Sequence, residues 1–276
     1  MITVSSMDHP TKLPARRAGT VRIASLDVEW TDKLVKGGNR PFCHSVVWID
    51  LPTERSTDLA DARWEFTSLY VEDDDEQDAL VAAGSAVLRL ASDQADLITG
   101  HQLSSDLAVL ANKAPQDAEL QLARARWKAR RNPETAVRYV DTRYDASDLL
   151  QGHSRRLVDV CTELGLDVTQ PELLRQSMPK LHRSWIGEGN TEARERVSVL
   201  NLRHSLSTAY VAARVEGLGH WAPEGFNVNQ ALSAGAKGAW EWLEQPTFTN
   251  LLEDPCPSAT PPSSASKAAR PPAKRR

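Results

Sequence analysis

The sequence predicts an α/β fold, a mixed five-stranded sheet flanked by helices, with a C-terminal helical extension. Three observations carry this. Three β-rich runs come first, joined by connections short enough for an antiparallel meander. Helical segments then alternate with two further short apolar runs, giving the order β-β-β-α-β-α-β-α. The chain has 276 residues, 41% hydrophobic and 25% charged, which is enough to bury one large core.

Taken in order, residues 1–20 are polar, carry Pro10 and Pro14 and end in Arg16-Arg17, so they read as a flexible leader. Arg22–Trp30 is the first expected strand, Gly37-Gly38-Asn39 a turn, and Phe42–Ile49 the second strand. After the polar stretch 50–62, Trp64–Val71 alternates as a third strand. The acidic run Glu72–Asp78 reads as a helix start, where negative charge suits the macrodipole, and 79–91 is rich in Ala, Leu and Val. Residues 97–100 make a short fourth strand, and a helix begins near Ser104-Ser105-Asp106. A charged helix over 119–131 precedes Pro133, and 136–140 is the fifth strand, ending at Asp141. Helices are expected over 155–164, 192–216 and 229–243. The main domain therefore spans 21–216, the helical extension 217–254, and a disordered, basic Pro/Ala-rich tail 255–276.

The net charge of −4 gives no global nucleic-acid signature, so a polyanion would need a local basic patch. The tail adds five positive charges and no acid, which suits weak polyanion holding or simple solubilisation. Cys43, Cys161 and Cys256 lie far apart, without the spacing of a zinc site or disulfide framework. No apolar run is long enough to span a membrane, and the expected compartment is the reducing cytoplasm.

The first strand carries the most informative pair, Asp27 and Glu29. A strand has a period of two, so both carboxylates point to one face, shared with Ile23 and Ser25, while Ala24, Leu26, Val28 and Trp30 face the other. Two adjacent anions repel each other, and a divalent cation between them is the simplest remedy. A third carboxylate, Asp106, follows Gly100-His101-Gln102 at the start of a helix, beside the end of the fourth strand.

These segments resemble a known family. Asp27-Val28-Glu29 is similar to the first motif of the DEDD 3′–5′ exonucleases, which have a ribonuclease H-like fold. Gly100-His-Gln-Leu-Ser-Ser-Asp106 resembles their second motif, with Gln102 in place of Asn and Ser105 in place of an aromatic. Asp141-Thr142 and the helix after Arg156 resemble the stretch that often precedes the third. The third motif departs furthest. Aligned to its Tyr form, His204 stands at the metal-binding Asp and Leu200 at the Tyr; aligned to its His form, His204 is the general base and Ala209 replaces the Asp. On the 192–216 helix, Val199, Leu202, Leu206, Ala209 and Ala213 form an apolar stripe, with His204 opposite beside Leu200, Ser207 and Val211.

The resemblance implies hydrolysis of a nucleic acid, DNA or RNA, from its 3′ end, with two divalent ions, Mg²⁺ or Mn²⁺, as cofactors. Asp27, Glu29, Asp106 and His204 would be the catalytic and metal-binding residues. Asp141, where the fifth strand ends, reads as a strand-end cap or turn residue, and Glu192 and Glu195 as dipole partners of their helix. His101 and Gln102, the basic-aromatic cluster with Arg124 and Trp127, and the pair Arg155-Arg156 are the expected nucleic-acid contacts. The absent fourth carboxylate leaves a second reading, a catalytically degenerate module of the same fold that binds nucleic acid or a protein. A structure-specific endonuclease is a third.

Overall fold

The computed structural model describes residues 1–9, 12–31, 38–132 and 137–253. The expected turn at Gly37, the start of the fifth expected strand at Ala136, Cys256 and the basic tail fall partly or wholly outside them.

The chain is α/β, with a mixed six-stranded sheet flanked by helices. In chain order its main elements are β1 (Ile2–Ser5), β2 (Thr20–Trp30), β3 (Pro41–Pro52), β4 (Trp64–Tyr70), α1 (Gln77–Gln94), β5 (Leu97–Gly100), α2 (Leu103–Lys113) and α3 (Ala118–Lys128). There follow β6 (Arg138–Asp141), α4 (Leu157–Glu163), α5 (Met178–Glu188), α6 (Thr191–Val215) and α7 (Val228–Gly235). The strands lie side by side as β1-β4-β3-β2-β5-β6. Pairing is antiparallel from β1 through β2 and parallel from β2 to β5 and β6.

The sixth strand corrects the expected five. It comes from residues 1–20, read as a loose leader, where Ile2–Ser5 pairs with β4 and lengthens the sheet at its edge. A four-residue strand with two hydrophobic side chains is too short to give an alternation signal of its own; its partner's open edge defines it. Helix α5 was also not foreseen, and the helix expected over 229–243 is two pieces, α7 and the 3₁₀ turn Glu241–Glu244. Gly235 and Gly238 lie where one continuous helix would have run.

Strand alternation sorts the core into two layers. Ile23, Val47, Ile49, Phe66 and Leu97 pack with Val199, Leu202, Leu206 and Ala209 of α6. Ala24, Leu26, Val28, Val46 and Ile98 pack on the other face with side chains of α1, α2 and α3. Helix α6 is buried on nearly every side, including Leu200, Ser207 and Val211. Its small residues let it lie close to the sheet, where the Ser205 and Ser45 hydroxyls meet at 2.8 Å. Residues 217–253 close the α6 side: Trp221, Trp240, Trp242 and Phe248 join the core there. Truncating a side chain such as Leu202, which has no exposure, would cost about 2–5 kcal/mol. No helix among the described residues is long and apolar enough to cross a membrane.

Candidate metal centre

The carboxyl ends of β2 and β5 meet at one rim of the sheet, the position where parallel strands of an α/β sheet commonly place a site. Asp27 and Glu29 reach it from β2, opposite Ser45 and Cys43 of β3, with a register shift between Glu29 and Trp30 that ends the regular ladder. Both side chains are mostly buried, about 15% and 10% exposed, and on the α6 face as the alternation requires.

His204 of α6 meets them. Its Nδ1 lies 3.4 Å from Asp27 Oδ2 and 3.4 Å from Glu29 Oε1. One donor atom from each of the three residues falls within 4.8 Å of the others, spacing that fits a bound metal ion. Asn201, one helical turn earlier, donates from Nδ2 to Asp27 Oδ2 at 2.7 Å. The sequence reading missed Asn201, although its i−3 relation to His204 was the available signal. Gln170, also missed, places its Nε2 3.0 Å from His204 Nε2.

Asp106 sits in the first turn of α2, buried, and does not join that close trio. Its Oδ2 has no hydrogen-bond partner among the described residues. Burial, followed by the charges of Asp27, Glu29 and Asp141, pushes the Asp106 carboxyl well above the usual range. The same causes, burial first and Asp27 second, raise Glu29 to about 7. Burial disfavours the charged imidazole of His204, but its contacts with Asp27 and Glu29 outweigh that and raise it to about 10. Each carboxylate thus makes its neighbours harder to ionise.

The turn between β5 and α2 is tightly built. A Cβ on Gly100 would come within 2.9 Å of the Leu103 side chain and 3.1 Å of the Leu26 carbonyl oxygen. Gln102 then takes a left-handed conformation, φ +63°, which tips α2 so that Asp106 comes in toward β2. Asp141 at the end of β6 braces this turn: its Oδ1 accepts from the Gln102 and Arg143 backbone N–H groups, and its Oδ2 from the Trp127 indole N–H at 3.0 Å. It caps the turn Thr142–Asp145, the part expected for it.

The expected nucleic-acid residues take varied positions. His101 engages both ring nitrogens within the protein, with Thr142 Oγ1 at 3.0 Å and the Arg155 carbonyl at 2.8 Å. Gln102 bonds Ser105 Oγ and lines a cleft of about 580 Å³ with Trp30, Asn39, Ser105, Val109 and Asn112. Trp127 is half-buried, tied through its N–H to Asp141 and covered on one face by the Arg130 guanidinium at 4.3 Å. Arg124 lies half-buried on α3, in the layer behind the sheet. Arg156 is forked onto Asp159, whereas the Arg155 guanidinium, among the described residues, binds the Gly152 and Ser154 carbonyls. Glu195, expected at the helix dipole, is buried and accepts from the Trp242 backbone N–H; Glu192 is exposed.

No known protein family matches this chain, and no curated protein is significantly similar to it in sequence.

Proposed function

We propose that the chain is a metal-dependent nuclease of ribonuclease H-like fold that removes nucleotides from a nucleic-acid 3′ end. The observation that carries this is the convergence of Asp27, Glu29 and His204 within 4.8 Å. The unpartnered Oδ2 of buried Asp106 and the raised carboxyls of Asp106 and Glu29 support it, since both describe negative charge awaiting a cation. The run of antiparallel strands followed by two parallel ones agrees with the expected fold.

In this reading Asp27, Glu29 and His204 would hold a divalent ion, and Asp106 would help to hold a second. Such ions supply charge stabilisation to the entering and leaving oxygens of an in-line displacement. Asn201 fixes the rotamer of Asp27 through its 2.7 Å bond. The cleft at Trp30, Gln102 and Ser105 receives the terminal nucleotide, and Arg155 meets the phosphate backbone. A nucleic acid with a free 3′ end is the partner, and His204 accepts mixed Mg²⁺/Mn²⁺ use with a preference for Mn²⁺, because imidazole suits the softer ion.

A second reading has its own observation. The His204 imidazolium sits between two carboxylates and offsets their charge without any ion, which suits a binding module that has lost catalysis. Digestion of 5′-labelled single-stranded DNA and RNA with Mn²⁺, Mg²⁺ or chelator separates the two. We expect a ladder shortening from the 3′ end, dependent on metal and absent in Asp27→Asn. Intact substrate under every metal condition, with folded protein, overturns the nuclease reading in favour of the module; cleavage of circular substrate favours an endonuclease.

A further inference from the structure

We propose that Gln170 is a positioning residue that holds the His204 ring from its Nε2 side, with Nδ1 toward the carboxylates, and so lets His204 serve as a ligand. This rests on the metal-centre reading above. The Gln170 amide nitrogen lies 3.0 Å from His204 Nε2. That contact leaves Nδ1 turned toward Asp27 and Glu29, 3.4 Å from each. A ring that gives its Nδ1 lone pair to a cation carries its proton on Nε2, which then needs an acceptor. A half-turn of the Gln170 amide presents Oε1 to it. An amide at position 170 can pair with Nε2 whether that nitrogen accepts or donates, which an apolar side chain could not do.

The segment that carries Gln170 is anchored on both sides. Before it, Leu166–Asp167 pairs with Phe226–Asn227, and Asp167 Oδ1 accepts from the Thr169 backbone N–H and hydroxyl at 2.9 and 2.7 Å. After it, the fully buried Glu172 receives both Nη groups of fully buried Arg203 at 2.6 and 2.5 Å, and the Trp242 indole at 3.3 Å. Arg196 Nε binds the Glu172 carbonyl at 2.7 Å. Arg203 adjoins His204 in α6, so the fork ties the Gln170 segment to the ring's own turn of helix. A buried ion pair contributes little net stability, but it fixes position well. Outer partners of a metal-binding histidine act in this way, by setting the tautomer and the ring plane.

The test is Mn²⁺ binding by the full chain, followed by calorimetry and by the ¹⁴N couplings of bound Mn²⁺ in pulsed electron paramagnetic resonance. We expect wild type to bind with a directly coordinated imidazole nitrogen that His204→Ala removes. Gln170→Met should bind about 10- to 100-fold more weakly and lose that coupling. Gln170→Glu, which can only accept, should keep the coupling and bind at least as tightly as wild type. Gln170→Met binding and coupling like wild type overturns the role of Gln170 and leaves the metal centre standing. Wild type that binds no Mn²⁺, or binds it without the nitrogen coupling, overturns the His204 ligand itself and this inference with it.

Discussion

Helix α6 carries two buried polar networks on adjacent residues, and they are built in opposite ways. Arg203 has its whole guanidinium engaged, the two Nη groups on Glu172 and Nε on Asn229 Oδ1 at 2.7 Å. His204 shares one nitrogen between two mutually repelling carboxylates at 3.4 Å; around these carboxylates, Asp106 Oδ2 and Asn201 Oδ1 have no hydrogen-bond partner among the described residues. Asn229 Nδ2 is left over on the first side, but every charge there has its counterpart. Both networks cost desolvation, and only the first answers it from within. Satisfied networks hold a fold; unsatisfied ones are kept for something that arrives.

The comparison breaks most readily by mutation. Glu172→Ala strands the Arg203 charge in the core, and should cost about 3–5 kcal/mol, roughly 10 °C of Tm. Glu29→Gln should do the reverse. The fold holds Glu29 at about 7 and so resists its ionisation; above that pH the isosteric amide relieves the cost. Thermal unfolding of metal-free protein at pH 8 should find Glu29→Gln as stable as wild type or a few degrees more so. The gain should vanish at pH 5, where folded wild type already carries the proton. Equal losses in the two variants would mean that the acidic site is structural too.

That contrast also explains what the sequence could tell. Asp27, Glu29, Ile23 and the opposing Ala24, Leu26 and Val28 were legible because a strand's period of two is local, and the two core layers follow it. His204 was legible as an anomaly in a helix stripe. Gln170 and the Arg203–Glu172 fork were not, because pairs 31 and 34 residues apart leave no periodic trace, and Asn201 had only its place one turn before His204 to mark it. The bond from the Trp127 N–H to Asp141, 14 residues on, was not legible for the same reason. The edge strand Ile2–Ser5 is likewise defined by its partner 65 or so positions away rather than by its own residues.

A smaller effect sharpens the contrast through pH. His204 is raised from 6.5 to about 10, so its contact with Asp27 and Glu29 stabilises the fold fully below 6.5 and is lost as pH rises through about 10. Glu29, raised from 4.5 to about 7, acts in the same direction in the lower window. Metal-free wild type should therefore lose Tm steadily from pH 6.5 to 10, and His204→Gln should flatten that upper limb. The Arg203 network has no such limb, because a guanidinium stays charged throughout. The deficit of Glu172→Ala against wild type should therefore stay constant across that range, since both proteins lose the His204 contribution alike. A Tm of wild type that is level from pH 6.5 to 10 would remove His204 from the charge balance of the site.

The smallest effect extends the same distinction, settled against unsettled charge, to the surface. Arg156 is neutralised by Asp159 at 2.7 and 2.9 Å, so the pair adds nothing net to a polyanion's field. Arg155 spends its N–H groups on the neutral carbonyls of Gly152 and Ser154 and keeps its charge. Truncating it leaves the Arg155 backbone carbonyl that His101 and Arg143 bind, so the neighbouring turn survives. Binding of single-stranded DNA to chelated protein should weaken several-fold in Arg155→Ala, with the slope of log K against log salt reduced by about 0.7, one phosphate contact. The double variant Arg156→Ala/Asp159→Ala should stay within about twofold with an unchanged slope, since it removes a settled pair. If the double variant loses as much as Arg155→Ala, charge balance is not what separates these two arginines, and position on the nucleic-acid path is.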